Sequence, residues 1–80
     1  MKLPRDVGGH DLAKALARYG YRITRQSGSH LRLTREGPET HRVTIPAHSN
    51  LRVGTLSGIV GEVAAHLGKS RDDVLRELEW

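Results

Sequence analysis

Between residues 21 and 46 the chain alternates apolar and polar side chains in three short segments, Tyr21 to Gln26, Ser29 to Arg35 and Thr40 to Pro46. They are separated only by Ser27-Gly28 and by Glu36-Gly37-Pro38-Glu39. Successive side chains of a strand point to opposite faces, so this pattern predicts an antiparallel meander of three strands. Tyr21, Ile23, Leu31, Leu33, Val43 and Ile45 then supply one apolar face, and Arg22, Thr24, His30, Arg32, Thr34, Arg42 and Thr44 the opposite one. A one-residue slip in register would reverse the two faces. A small sheet with one greasy side must be covered to be stable in water.

The flanking segments provide the cover. From Gly9 to Tyr19, Leu12, Ala13, Leu16 and Ala17 recur at helical spacing with Lys14 and Arg18 opposite, Gly8 placed as N-cap, Asp11 near the positive helix end and Gly20 as the stop. After a polar connection from Ala47 to Arg52, Leu56, Ile59, Val60, Val63, Ala64 and Leu67 give the strongest periodic signal in the chain, ending at Gly68. Leu56, Ile59 and Val63 are therefore expected in the core. Ser70 followed by Asp73 resembles a capping box that opens a third helix through Val74, Leu75 and Leu78. Trp80 is expected to pack rather than hang free, on size alone.

Eighty residues make one domain, and without cysteine neither disulfides nor a thiolate metal site can brace it. No stretch approaches the roughly 20 apolar residues of a membrane helix, and no apolar signal core follows Met1, so a cytoplasmic protein is expected. The net charge of +4 is unevenly spread, +6 through Arg52 and −2 from Val53 onward. The strand-rich half thus holds the positive field, and a basic face attracts polyanions, with RNA or DNA the default partner.

The five histidines, His10, His30, His41, His48 and His66, lack the close spacing and carboxylate partners of a sequence-readable metal site, so no metal or other cofactor is expected. Gly8-Gly9 lacks the lysine and spaced glycines of a phosphate loop and is better read as a helix cap. His30 is different, because alternation puts it beside Arg22, Arg32 and Arg42. A neutral imidazole accepts a proton near physiological pH and its charged form donates one, which suits ribose 2′-hydroxyl attack on a neighbouring phosphate held by arginines. Arg22, Arg25, Arg32 and Arg42 are the candidate phosphate contacts. Arg25 alternates onto the apolar side, so it must lie at the strand end with its guanidinium reaching out. From the residues alone, a histidine on a polar strand face is more often an ordinary surface residue.

The motifs Arg25-Gln26-Ser27-Gly28-Ser29-His30, then Ile45-Pro46-Ala47-His48, then Gly54-Thr55-Leu56 with Ile59, follow a short basic helix. Taken together, in this order and spacing, they resemble the HicA family of small mRNA interferase toxins. The resemblance runs from about Val7 to Gly68. It implies an α+β, double-stranded-RNA-binding-domain-like αβββα fold, a three-stranded antiparallel sheet with helices on one face, plus a short C-terminal helix. The corresponding domain is residues 1–80, with a core of about 7–68 and an appended helix of about 71–79.

The resemblance also implies a catalytic role for His30, with Gly28 shaping the turn before it. His48 matches a histidine that follows the third strand, expected to position substrate or to pack, and Gly54, Thr55 and Leu56 match the start of the second main helix. Many members begin the first helix with Ser-Gly where this chain has Gly8-Gly9, a change expected to cost only a few tenths of a kcal/mol in capping. The expected function is that of a metal-independent endoribonuclease toxin of a type II toxin–antitoxin system, with mRNA as substrate and a HicB-like antitoxin covering His30 and the basic face. The alternatives are a non-catalytic RNA-binding module of the same fold, which would hold RNA by shape and backbone contacts, and a protein-interaction domain.

Overall fold

A computed structural model describes residues 3–80; Met1 and Lys2, at the start of the expected domain, lie outside the described residues. Helix α1 (Gly9–Leu16) runs into a 3₁₀ turn at Ala17–Tyr19, followed by strands β1 (Tyr21–Ser27), β2 (His30–Arg35) and β3 (His41–Pro46) and helices α2 (Val53–Leu67) and α3 (Arg71–Glu77). The strands pair antiparallel in the order β1-β2-β3. This is the α+β, αβββα arrangement with a further C-terminal helix.

The inner face of the sheet is read directly from the register. Leu33 lies opposite Val43, and Leu31 opposite Ile45, and all four are buried with Tyr21 against Leu12 and Leu16 of α1 and Leu56, Val60 and Val63 of α2. Ile23 departs from the expected cover. It shares this face through its partner Leu33 yet stays 47% exposed, because β1 is an edge strand and the helices do not reach over its middle.

Each helix end has its own device. At α1, the Asp11 carboxylate accepts the Gly8 N–H at 3.0 Å, as the spacing predicts. Gly8 and Gly9 do more than cap. A Cβ on Gly8 would stand 2.6 Å from the Ser49 carbonyl oxygen, and one on Gly9 would collide with the Pro46 carbonyl. The segment after β3 crosses here at backbone distance, with the Gly9 N–H donating to the His48 carbonyl at 2.9 Å and the Leu51 N–H to the Val7 carbonyl at 2.7 Å. The Gly8-for-Ser departure therefore bears on packing as well as capping. At α2, Arg52 is the N-cap without a side-chain bond, so Gly54 and Thr55 lie inside the first turn and the helix owes its stability to its buried stripe.

The third helix is woven into the fold although it follows the span of the resemblance. Ser70 Oγ accepts the Asp73 N–H at 3.0 Å, and Val74, Leu75 and Leu78 belong to the same buried cluster as the sheet. Glu77 accepts a hydrogen bond from the Tyr19 hydroxyl at 2.7 Å and from Lys69 Nζ at 2.9 Å, and its carbonyl takes one from the Arg18 guanidinium. Burial and then the bond to Glu77 push the Tyr19 phenol up to about 12, so it remains a donor. The helix ends with Glu79 in the left-handed region at φ 63, where the Glu79 and Trp80 N–H groups reach the Arg76 and Leu75 carbonyls. Trp80 is half-buried and lines a groove with Val7, the α1 residues Asp11, Lys14 and Ala15, and Arg18 of the 3₁₀ turn.

At the end of the sheet away from the β1–β2 turn, Tyr21, Arg35 and His41 form one row facing the helices. His41 stacks on His66 of α2 with ring centroids 4.3 Å apart and planes 10° from parallel, and its Nδ1 lies 2.6 Å from the Tyr21 hydroxyl. Burial, and then the neighbouring His66, lower the His41 pKa from its ordinary 6.5.

Two outcomes follow for stability. Leu56→Ala and Val74→Ala should each lower the urea midpoint at unchanged slope, with Leu56→Ala losing about 2 to 5 kcal/mol of unfolding free energy. A loss below about 0.5 kcal/mol for Val74→Ala, the size of an ordinary surface change, would show that α3 is not part of the core. For pH, unfolded His41 takes up its proton near 6.5 while the folded residue resists it, so the unfolded state binds more protons below that value. The contribution of His41 is complete above about pH 6.5 and is lost as the pH falls toward its lower folded pKa. Melting temperatures measured between pH 7.5 and 5.5 should decline, and His41→Gln should flatten that decline.

Candidate active site and nucleic-acid interface

The outer face of the sheet is organised by the turn between β1 and β2. Ser27 pairs with His30, which leaves Gly28 and Ser29 as a two-residue loop. Gly28 has φ 57, whereas Ser29 is not among the residues with positive φ, the pattern of a type II′ hairpin turn that starts with glycine. Counting outward from this turn sets the register: Ser27 opposite His30, Gln26 opposite Leu31, Arg25 opposite Arg32. Arg25 therefore shares the outer face with Arg32.

Strict alternation from Tyr21 puts Arg25 on the apolar side, and the structure corrects this. A β-bulge between Ile23 and Arg25 places one extra residue, Thr24, in β1. The bulge keeps Ile23 inward and Arg25 outward, so Arg25 reaches the outer face from within the strand rather than from its end. The Thr24 hydroxyl hydrogen-bonds that of Thr34 at 2.7 Å, which satisfies Thr34, a buried polar side chain on this face at 6% exposure. The sequence signal for this placement is the glycine turn, from which pairing can be counted without crossing the bulge.

Three rows result. Ser27, His30 and Pro46 form the first, Arg25, Arg32 and Thr44 the second, and Arg22, Thr34 and Arg42 the third. Arg25, Ser27, His30, Arg32 and Thr44 line a cleft of about 290 Å³. His30 is exposed, and its position is fixed by β pairing on both sides and by the Ala47 N–H donating to the Ser29 carbonyl at 2.6 Å. Arg25 and Arg32 stand directly opposite each other, an arrangement that costs stability in a sheet unless an anion joins it. Among the described residues neither side chain makes a salt bridge or hydrogen bond, and the same holds for Arg42. Arg22 has one weak partner, Glu36 at 3.5 Å, with both groups exposed.

Of the sequence candidates, the cleft brings together His30, Arg25 and Arg32, with Gly28 at its end, while Arg22 and Arg42 lie one row further along. His48 does not line it. Its side chain is exposed and its carbonyl holds the start of α1. Ser27 and Thr44 are the cleft hydroxyls that sequence reasoning did not single out; pairing from the turn would have found Ser27. Among the described residues no three His, Cys, Asp or Glu side chains are grouped to hold a metal ion, and no helix is long and apolar enough to cross a membrane.

The outer face of this small α+β domain thus carries four arginines, Arg22, Arg25, Arg32 and Arg42, with His30 in the end row beside the turn. Residues 9–68, three quarters of the chain, match the family model for the HicA toxin of bacterial toxin–antitoxin systems. The chain belongs to the HicA toxin family, a toxin–antitoxin family whose toxins cleave mRNA. No curated protein and no solved structure matches it significantly.

The turn supplies a direct check on this geometry. Gly28→Ala forces a Cβ into left-handed backbone, although nothing crowds the position itself. It should destabilise the hairpin by about 1 to 2 kcal/mol, and Gly28→Asn by less, as measured by urea unfolding.

Proposed function

We propose that this protein is a metal-independent endoribonuclease that uses His30 to cut mRNA. The observation that carries the reading is the convergence of His30 with an opposed, unpaired arginine pair, Arg25 and Arg32, in one cleft. A phosphodiester in that cleft accepts hydrogen bonds from both guanidiniums, which offset their mutual repulsion and stabilise charge developing on the phosphorane oxygens. Neutral His30 takes the proton of the adjacent ribose 2′-hydroxyl as its oxygen attacks phosphorus. The bond from phosphorus to the 5′-oxygen breaks, and the proton returns from the imidazolium to that leaving oxygen. One fragment ends in a 2′,3′-cyclic phosphate and the other begins with a 5′-hydroxyl. Every atom and proton is accounted for by RNA and one histidine, and the scheme needs no cofactor.

The same basic face suits a protein antitoxin of the HicB kind, which would silence the enzyme by covering His30 and the arginines. The reading places the toxin in the cytoplasm, where mRNA and antitoxin are found.

Purified protein should cleave RNA in EDTA, and His30→Ala should fold with unchanged circular dichroism yet lose cleavage by at least about a hundredfold, the lower range for a general acid–base. Expression of the wild type should arrest growth where His30→Ala does not. Equal cleavage by both proteins removes the enzymatic reading, and RNA binding without cleavage by either leaves a binding module. Arg32→Ala should weaken RNA binding across sequences and reduce the slope of log affinity against log salt by about 1.

A further inference from the structure

Arg22 and Arg42 lie outside the cleft, yet they form a second constellation on the same face. Both pair with Thr34, one from each side, so two long cations flank a short, low-lying side chain on the middle strand. Thr34 is buried and its hydroxyl is occupied by Thr24, so the floor between the arginines is small and closed. Strands are roughly 4.8 Å apart, which sets the two arginine Cα atoms roughly 10 Å from each other, wide enough for both guanidiniums to close on one phosphate. The row is also one pleat repeat, roughly 6.6 Å, from the Arg25–Arg32 row. That separation is close to the spacing of successive phosphates along one nucleic-acid strand. On the opposite side of His30 the sheet ends at Gly28-Ser29, which carries no cation.

We propose that Arg22, Thr34 and Arg42 form a second phosphate subsite, which holds the phosphate next to the scissile one on a single strand of RNA. The proposal rests on the cleavage reading above and gives it a direction. The substrate is gripped on one side of the cut only, through its backbone, because among the described residues the outer face presents no aromatic side chain besides His30 on which a base could stack. Tyr19 is partly covered beside α3 and Tyr21 faces the helices, while Trp80 lies against α1. Glu36 competes for Arg22 at 3.5 Å, so a phosphate that enters the subsite displaces an exposed carboxylate.

The test uses short oligoribonucleotides with one scissile phosphate and one additional phosphate on either the 5′ or the 3′ side. For the wild type, the additional phosphate on one side should raise kcat/KM about tenfold through KM, the change expected of one charge-assisted contact, and on the other side it should do nothing. The Arg22→Gln/Arg42→Gln double variant should lose that gain, and Glu36→Gln should enlarge it. The same oligonucleotides titrated against His30→Ala by fluorescence anisotropy report binding without cleavage, and thermal melts establish that each variant is folded. Equal gains on both sides, or a one-sided gain that survives in the double variant, overturn the subsite. If the wild type cuts no RNA but the one-sided binding gain is present and lost in the double variant, the cleavage reading fails and the subsite stands.

Discussion

The burial of Leu31 and Leu33 on the middle strand is the constraint from which the rest of the molecule follows. Both are fully buried between the helices and the sheet, and a strand that commits its odd-numbered side chains to the core must send His30, Arg32 and Thr34 to the opposite face. The same apolar contacts that stabilise the domain thus aim the imidazole outward. Because β2 is flanked by a strand on each side, His30 is held by pairing in both directions rather than by a loop. A side chain on a rigid strand keeps its position relative to neighbouring cations, which under the proposed mechanism spares the ordering of a loop at each encounter with substrate.

The bulge at Thr24 performs the complementary task on the edge strand. Without an extra residue, inward Tyr21 and Ile23 and outward Arg25 could not belong to one continuous strand. With it, β1 contributes to the core at one end and to the cleft at the other. The sheet then carries two opposed arginines that find no side-chain partner among the described residues, a local cost that a bound anion would offset. Like-charge placement of this kind is poor design for stability alone and sensible design for binding a polyanion.

The helical layer is braced where the recognised family span ends. Residues 9–68 match the family model, but Val74 and Leu75 of the following helix are buried in the shared core, and Glu77 gathers hydrogen bonds from Tyr19, Lys69 and Arg18. This helix packs against α2 and reaches the 3₁₀ turn that follows α1. At the other end of the domain, the close crossing of Gly8 and Gly9 under residues 46–49 ties the start of α1 to the chain just beyond the site. Both contacts act on the scaffold that carries the outer face, not on the face itself.

Periodicity alone determined the elements, since apolar spacing of two or of three and four residues is set by backbone geometry that neighbouring segments do not alter. It also determined the capped ends at Gly8 with Asp11 and Ser70 with Asp73, and the outward placement of His30, Arg32 and Arg42. The motifs around Gly28 and His30 carried the family. Tertiary structure decided what depends on counting across elements. A single inserted residue at Thr24 moved Arg25 to the other face, an effect invisible to alternation measured from Tyr21 because a bulge leaves no periodic trace. Exposure of Ile23 depended on how far the helices reach over an edge strand. The demand for glycine at positions 8 and 9 arose from a segment some forty residues away, and the stacking of His41 on His66 from the meeting of β3 with α2. In each case the cause is a contact between parts of the chain distant in sequence, and only the packed molecule brings them together.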